Sequence, residues 1–361
     1  MTDNKYFRKA FLLDVERIHP PEHTQKNDNN YLRLHRAERL EPFPKVFFDN
    51  FVKTISQEDV RYYPYVQRLR NKLASKFDMS IDNIFINNGS SENIRIFYEA
   101  FAVRGMESII TDPSYPMHRI YAEIQESKVI KIPYKTDLTF DVNGLIEKIT
   151  ENTCSICFAN PNSPIGDILT YDDVEKILSK ADEYNVPVLL DEAYIEYAEQ
   201  PSCVHLLKKY NNLIISRTFS KGLGCAGLRI GYLLGNTDIM NVIYKLVPTY
   251  ETSNISARFG TYLLENYYVV SDYIEKIRYE KKLLKELCEK ENIPLILNHS
   301  NTVHLKPNNL DRLFSKLDNT YYRKRKLPHD DEFWFALVVF PGLTKSTLME
   351  KTIQMHHEES V

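Results

Sequence analysis

The sequence predicts an α/β protein: a large unit built on a mostly parallel seven-stranded sheet between helices, plus a smaller α+β unit. Three observations carry this. Between about Val60 and Gly235, short strands that are apolar throughout alternate with amphipathic helices, the pattern of a parallel sheet covered on both faces. From Ser256 the pattern changes to a long charged helix, then to short strands and helices in another order. The chain has 361 residues, 43% of them hydrophobic, enough for a substantial core.

The elements follow in order. Pro64 to Lys76 reads as a helix, with Val66, Leu69, Leu73 and Phe77 at steps of three and four. Ile84-Phe85-Ile86 is a short strand, and Ser91 to Val103 a helix. Ser108 to Ile110 is a strand, Pro116 to Glu126 a helix, and Lys128 to Ile132 a strand. Gly144 to Ile149 is a helix and Ser155 to Phe158 a strand. Tyr171 to Tyr184 is a helix opened by Thr170. Val186 to Leu190, Leu213 to Ser216 and Arg229 to Leu234 complete the strands of the large unit. Ser256 to Asn292 reads as one long helix. Leu295 to Leu297, Thr302 to Leu305 and Phe333 to Phe340 are strands of the small unit, with helices over Leu310 to Leu317 and Thr344 to His356. The basic run Tyr321 to Lys326 reads as a solvated strand or loop.

A net charge of −3 gives no reason to expect nucleic acid binding. No apolar run approaches the roughly 20 residues of a membrane span. The N-terminal stretch has charges through its apolar part and no cleavage signature, so no signal peptide is expected, and the cytoplasm is the expected location. Five cysteines without regular spacing do not suggest a disulfide framework. Cys154 and Cys157 form a CxxC within a buried strand, where residues three apart point to opposite faces. They are expected to be core residues, and no metal site is expected.

Ligands of such sheets sit beyond the carboxyl ends of the strands, and chemistry-bearing residues collect there. After Ile84-Phe85-Ile86 comes NNGSSE, with Gly89 turning the chain and Ser90 and Ser91 entering a helix; a helix start is an anion site, though Ser91 also suits an ordinary N-cap. DPSYP brings Tyr115 to another strand end. NPNSPIG forms a rigid loop carrying Asn162 and Ser163. LLDEAY places Asp191 and Tyr194, and a carboxylate at a buried strand end needs a cation or a strong donor. RTFSKGLGCAGLRIGY carries Thr218, Ser220, Lys221 and Arg229 among Gly222, Gly224, Gly227 and Gly231, in a chain with only 11 glycines. Glycines permit close backbone approach, as a bulky cofactor lying there would require, and the hydroxyls with Arg229 could hold a phosphate. An anion site, a stacking ring, a buried Asp, a Tyr, a Lys and an Arg at one sheet edge suit a flat, phosphorylated, protonated heterocycle with an aldehyde: pyridoxal 5'-phosphate (PLP).

These motifs, with RYYPY, resemble in order and spacing the class I/II aminotransferases of fold type I over roughly Arg61 to Gly235, and in particular the histidinol-phosphate aminotransferase branch. The resemblance implies an aspartate-aminotransferase-like fold, with 46–254 as the PLP-binding domain and 1–45 together with 255–361 as the small domain. It implies that Lys221 is the Schiff-base lysine and proton carrier, and that Asp191 keeps the pyridine nitrogen protonated. Tyr194 would donate to the ring 3'-oxygen, Tyr115 would stack on the ring, and Ser90, Ser91, Thr218, Ser220 and Arg229 would surround the phosphate. Tyr63 would reach the phosphate of the neighbouring subunit, which implies a homodimer with shared sites. The segment Leu32 to Pro44 would line the substrate entrance through Arg33 or Arg36.

The sequence departs from the family in three places. The usual Gly-Ser-Asp-Glu reads Gly89-Ser90-Ser91-Glu92. The usual Asn-Asn-Pro-Thr-Gly reads Asn162-Ser163-Pro164-Ile165-Gly166, so the 3'-oxygen contact falls to Asn162 or Ser163. Near the C-terminus, Val338 stands where the family has an arginine that clamps the substrate carboxylate. Losing such a clamp weakens binding by about 2–5 kcal/mol unless another cation, among them Arg36, Lys345 and Arg325, replaces it. Arg325, thirteen residues earlier, and Arg323 are the candidates for a family arginine that contacts a substrate phosphate. The expected function is a PLP-dependent aminotransferase of a small phosphorylated substrate, with L-glutamate as donor. The runner-up is a PLP decarboxylase of a phosphorylated amino acid. A PLP-binding transcription regulator is disfavoured, because the roughly 60 residues before the cofactor unit carry no helix-turn-helix pattern.

Overall fold

The computed structural model describes residues 31–358 together with Leu12, Val15 and Glu16. Most of the stretch read for a signal peptide therefore lies outside the described residues. The strands are β1 (Leu32–Arg33), β2 (Ile84–Asn87), β3 (Glu107–Asp112), β4 (Lys128–Pro133), β5 (Thr153–Ala159), β6 (Val188–Asp191), β7 (Leu213–Thr218), β8 (Gly231–Gly235), β9 (Leu295–Ile296), β10 (Thr302–Leu305), β11 (Thr320–Tyr321), β12 (Arg323–Lys326) and β13 (Phe333–Val338).

Seven of them form one sheet in the order β2-β8-β7-β6-β5-β3-β4. The pairs from β4 to β7 are parallel, and β8 runs against both of its neighbours. The sheet is mostly parallel, as the unbroken apolar strands predict. Its inner strands are covered on both faces, while the edge strand β4 is partly exposed. Phe85, Leu189, Ile214 and Leu233 pack under the helix Ser90–Phe101, while Ile84, Ile156, Leu190 and Ile215 join the larger core on the opposite side. The helix Tyr171–Glu183 starts at Thr170, whose hydroxyl accepts from the Asp173 amide at 3.2 Å, an N-cap that satisfies one free donor of the first turn.

A second sheet has the order β12-β13-β10-β9 and is antiparallel. The basic run is thus partly an edge strand, and its lysines and arginines are of the kind that keep an edge from pairing with other chains. β1 and β11 form a separate parallel pair. The run Ser256–Asn292 is two helices, Asn254–Glu265 and Tyr268–Glu291. They part at Asn266, whose side chain donates to the Tyr262 carbonyl at 2.9 Å, a local bond that competes with helix continuation.

The second of these helices ties the small sheet in place through two adjacent residues. The buried Glu280 carboxylate accepts from the amides of Gly342 and Thr344 at 2.9 and 2.7 Å. Lys281 Nζ donates to the carbonyls of Asn298, at 2.6 Å, and Ser300. Burial, with Arg278 adding to it, lowers the Lys281 pKa to about 7. The same loop reaches the large sheet, since the His299 amide donates to the Gly166 carbonyl at 2.8 Å. All five cysteines are buried as free thiols. No described helix is long and apolar enough to cross a membrane.

Candidate active site

The residues singled out at the strand ends converge. β2 ends at Asn87, and Gly89, at φ +90°, is the N-cap of the helix that Ser90 and Ser91 begin. Gly89, not Ser91, therefore caps that helix. β8 begins at Gly231, opposite Asn87. A Cβ on Gly231 would stand 2.4 Å from the Gly89 carbonyl carbon, and a Cβ on Gly89 would stand 2.6 Å from Arg229 Nη2. The Gly231 contact is with backbone and leaves no room for a side chain, and Gly89, at φ +90°, is strained for any other residue, so the two glycines bring strand, helix start and Arg229 together. Arg229 is itself left-handed (φ 53°), an unfavoured conformation for a side-chain-bearing residue that the surroundings impose. It donates to Ser220 Oγ at 3.2 Å. The glycine cluster is therefore explained differently from the sequence expectation of an open bed for a cofactor. Gly222 and Gly224 lie against Glu196 and Arg39, and only Gly227 among the four has nothing within 4 Å.

Thr218 ends β7, accepts from the Ser220 amide at 3.1 Å and donates to the Ile230 carbonyl at 3.2 Å. Asn93, one turn into the Ser90 helix, donates to Ser216 Oγ at 3.0 Å and to the carbonyls of Arg217 and Tyr232. This fixes the helix start over β7 and β8. Beneath lies a buried ion cluster: Arg217 donates to Glu192 at 3.0 Å and to Glu196 at 2.7 Å. Burial raises the Glu192 pKa and Arg217 opposes that rise. Glu192 of the DEAY motif is therefore a structural anchor.

Its neighbour Asp191 is 3% exposed. Oδ2 receives His118 Nε2 at 3.4 Å, while Oδ1 is buried with no hydrogen-bond partner among the described residues. Burial opposes a charge on His118, but Cys157 and the Asp191 carboxylate outweigh it and raise its pKa to about 10. His118 Nδ1 meets Ser114 Oγ at 3.0 Å, Ser114 Oγ donates to Asn162 Oδ1 at 2.9 Å, and Asn162 Nδ2 donates to the Pro113 carbonyl at 2.9 Å. Three strand ends are joined by this chain of bonds. His118 and Ser114 were missed by the sequence reasoning. The signal was there: His118 stands three residues after Tyr115, one helical turn on and facing the sheet. Asn162 Nδ2 keeps a second N–H beyond its bond to the Pro113 carbonyl, and Ser163 is half-buried.

Lys221 Nζ donates to the Arg36 carbonyl at 2.8 Å and lies 5.5 Å from the centroid of the Tyr194 ring. Tyr115 is 39% exposed, with its hydroxyl 3.0 Å from Ser91 Oγ. Tyr63 is 74% exposed and stacks on Tyr250 with centroids 4.1 Å apart. A cavity of about 500 Å3 between the helices Lys45–Val52, Gln67–Phe77 and Asn254–Glu265 includes none of the predicted site residues.

The small sheet supplies the other wall. Cross-strand pairing of Arg323 with Ala336, Arg325 with Trp334, His304 with Ala336 and Thr302 with Val338 puts Arg323, Arg325, His304 and Val338 on one face. Arg325 is partly buried and Arg323 exposed. Burial and then the nearby Arg323 lower the Arg325 pKa to about 10 against an opposing effect of Tyr194, so Arg325 reaches the neighbourhood of Tyr194. Val338 is fully buried, and Lys345 is exposed.

The orphaned oxygen of Asp191 fits a protonated ring nitrogen. The helix start with Ser220 and Arg229 fits a phosphate. The residues present thus suit PLP.

Residues 28–348 match the family described as aminotransferase class I and II. The chain is 31% identical over 310 residues to histidinol-phosphate aminotransferase 1 of Carboxydothermus hydrogenoformans, covering 84% of each chain. It is 28% identical to histidinol-phosphate aminotransferase of Clostridium novyi, covering 86% of each. Among solved structures, it resembles the PLP complex of histidinol-phosphate aminotransferase from Sinorhizobium meliloti with a TM-score of 0.81, at 19% identity and over 98% of this chain and 97% of that one. It also resembles L-threonine-O-3-phosphate decarboxylase from Porphyromonas gingivalis with a TM-score of 0.74, at 19% identity and over 91% and 100%. At these identities the two structures bear on the fold alone. The match along residues 28–348, together with relatives that it covers over most of their length, makes the chain a member of the class I and II aminotransferases.

Proposed function

We propose that this protein is a PLP-dependent aminotransferase that moves an amino group between L-glutamate and a small phosphorylated keto or amino compound. The observation that carries it is the buried Asp191 carboxylate, held by His118 on one oxygen and, among the described residues, unpartnered on the other, at the same sheet edge as Lys221. The curated relatives named for histidinol phosphate supply the substrate class.

PLP, when bound, supplies an aldehyde that takes up the amine and a ring that accepts electrons from the reacting carbon. Asp191 Oδ1 would hold a proton on the ring nitrogen, while His118 Nε2 holds the other carboxylate oxygen at 3.4 Å. Tyr194, with Asn162 or Ser163, would serve the 3'-oxygen, and Asn162 Oδ1 also orients Ser114. Ser90, Ser91, Thr218, Ser220 and Arg229 hold the phosphate, and Tyr115 covers the ring. Lys221, whose Nζ donates to the Arg36 carbonyl, would be the residue that attaches the cofactor and carries a proton to and from the reacting carbon. Arg325 takes the substrate phosphate or a donor carboxylate in turn, with Arg323 at the rim and Arg36 at the entrance.

The chain divides into a PLP-binding domain, 46–254, and a small domain of 1–45 with 255–361. Tyr63, with the exposed Val46, Phe48, Val60 and Tyr62, belongs to a surface covered by a second copy, so that the homodimer shares its sites. Five buried free thiols suit a reducing cytoplasm. The test is a half-reaction. The protein is loaded with PLP, L-glutamate is added, and cofactor absorbance and 2-oxoglutarate are followed. Conversion with release of 2-oxoglutarate is expected. An unchanged spectrum rules out glutamate as donor, and CO2 release from a phosphorylated amino acid would replace transamination with decarboxylation.

A further inference from the structure

His304 lies on the face of the small sheet that carries Arg325 and Val338, and it is 1% exposed. Its Nε2 meets the Pro164 carbonyl at 2.9 Å. A carbonyl only accepts, so Nε2 carries the proton. Pro164 directly follows Ser163 in the loop after β5, so this bond also shows that the face looks onto the end of the large sheet. Nδ1 is buried without a partner among the described residues. Burial lowers the His304 pKa, the Pro164 bond opposes this, and the nearby Arg325 lowers it further. The ring is neutral, and Nδ1 is a bare lone pair. A buried acceptor left without a donor is costly, and the same lone pair repels a carboxylate. Beside it, Val338 offers no cation.

We propose that His304 is a specificity-determining residue whose Nδ1 accepts a hydrogen bond from the substrate. It selects a phosphorylated amine whose amino-bearing carbon carries a hydrogen-bond donor such as a hydroxymethyl group in place of a carboxylate. The proposal rests on the aminotransferase reading above and adds the substituent that this site favours. Arg325 anchors the phosphate, His304 reads the third arm, and Val338 removes the attraction for a carboxylate there.

The test uses the PLP-loaded protein and three probes that differ in that one arm. They are 2-amino-3-hydroxypropyl phosphate, 2-aminopropyl phosphate and O-phosphoserine. Apparent Kd values come from titration of the cofactor absorbance and from calorimetry. The hydroxymethyl probe is expected to bind about tenfold tighter than the methyl probe, and O-phosphoserine more weakly than either. His304→Phe should bring the first ratio to about one while leaving the methyl probe within about twofold. His304→Gln, which restores an acceptor, should recover part of the ratio. Equal binding of the hydroxymethyl and methyl probes by the unaltered protein, or tightest binding of O-phosphoserine, would overturn the role of His304 and leave the aminotransferase reading standing. A ratio that survives in His304→Phe would do the same. Failure of all three probes to bind a protein that holds PLP would overturn both.

Discussion

The end of the seven-stranded sheet and the face of the four-stranded sheet form opposite walls of the proposed site, and they are built differently. At the large sheet, polar side chains are held by one another: Asp191 by His118, His118 by Ser114, Ser114 by Asn162, Arg229 by Ser220. At the small sheet, Arg325 is partly buried beside another arginine, His304 has one nitrogen bonded and one without a partner among the described residues, and Val338 is apolar. A cofactor that stays in place through every turnover allows a prearranged wall. A substrate that comes and goes must complete its own wall, and its chemistry is written in what that wall lacks.

If the large-sheet wall carries the chemistry, the largest effect comes from Lys221→Ala. It should lower the glutamate half-reaction by about 10^4-fold or more, with loss of the cofactor band characteristic of a lysine attachment. A variant that keeps the band breaks the comparison at its root. Next is Asp191→Asn, which keeps the shape but removes the charge. Turnover should fall by roughly 10^2- to 10^4-fold. His118, having lost its carboxylate partner, should titrate well below about 10 by NMR. Val338→Arg addresses the other wall. It should tighten glutamate binding by about 30-fold or more, read as Kd, and erase much of the preference against carboxylates; unchanged binding would mean that position 338 is not where a carboxylate would lie.

The smallest effect is on stability. Lys281 has a pKa of about 7 in the fold against 10.5 for a free lysine. Between these values the unfolded chain holds a proton that the fold does not, so this residue makes stability rise with pH. His118 acts in the opposite sense: its stabilising charge is fully present below about pH 6.5 and is lost as pH rises through about 10. In Lys281→Met the rise of Tm between pH 7 and 9 should flatten or reverse, while in His118→Asn it should steepen. A Lys281→Met curve parallel to that of the unaltered protein would remove Lys281 as the cause.

The large-sheet wall was largely legible in the sequence because its chemistry forces residue type. A left-handed or closely packed backbone needs Gly89 and Gly231, a strand-end carboxylate needs a reason to be there, and unbroken apolar strands can only be interior. What escaped were residues whose role depends on a partner distant in the chain. His118 looks like any polar residue on a helix until Asp191, 73 positions away, is seen beside it. The close neighbours of Gly222 and Gly224 were equally invisible, since Glu196 and Arg39 lie in other elements. On the small sheet, Arg325 and Val338 could be named from the resemblance to the family, but His304 could not. Its meaning comes from the register of β10 against β13 and from a bond to Pro164, 140 positions earlier.

The five buried thiols have a practical side. A chain that offers no accessible thiol reacts slowly with maleimide or nitroxide reagents while folded. One cysteine introduced at an exposed position on the edge strand β12 and another on the exposed face of the helix Tyr171–Glu183 would therefore be labelled almost alone. The distance between two such labels would report directly whether the two walls draw together when a phosphorylated amine enters, in the native protein and without removing a single natural side chain from its interior.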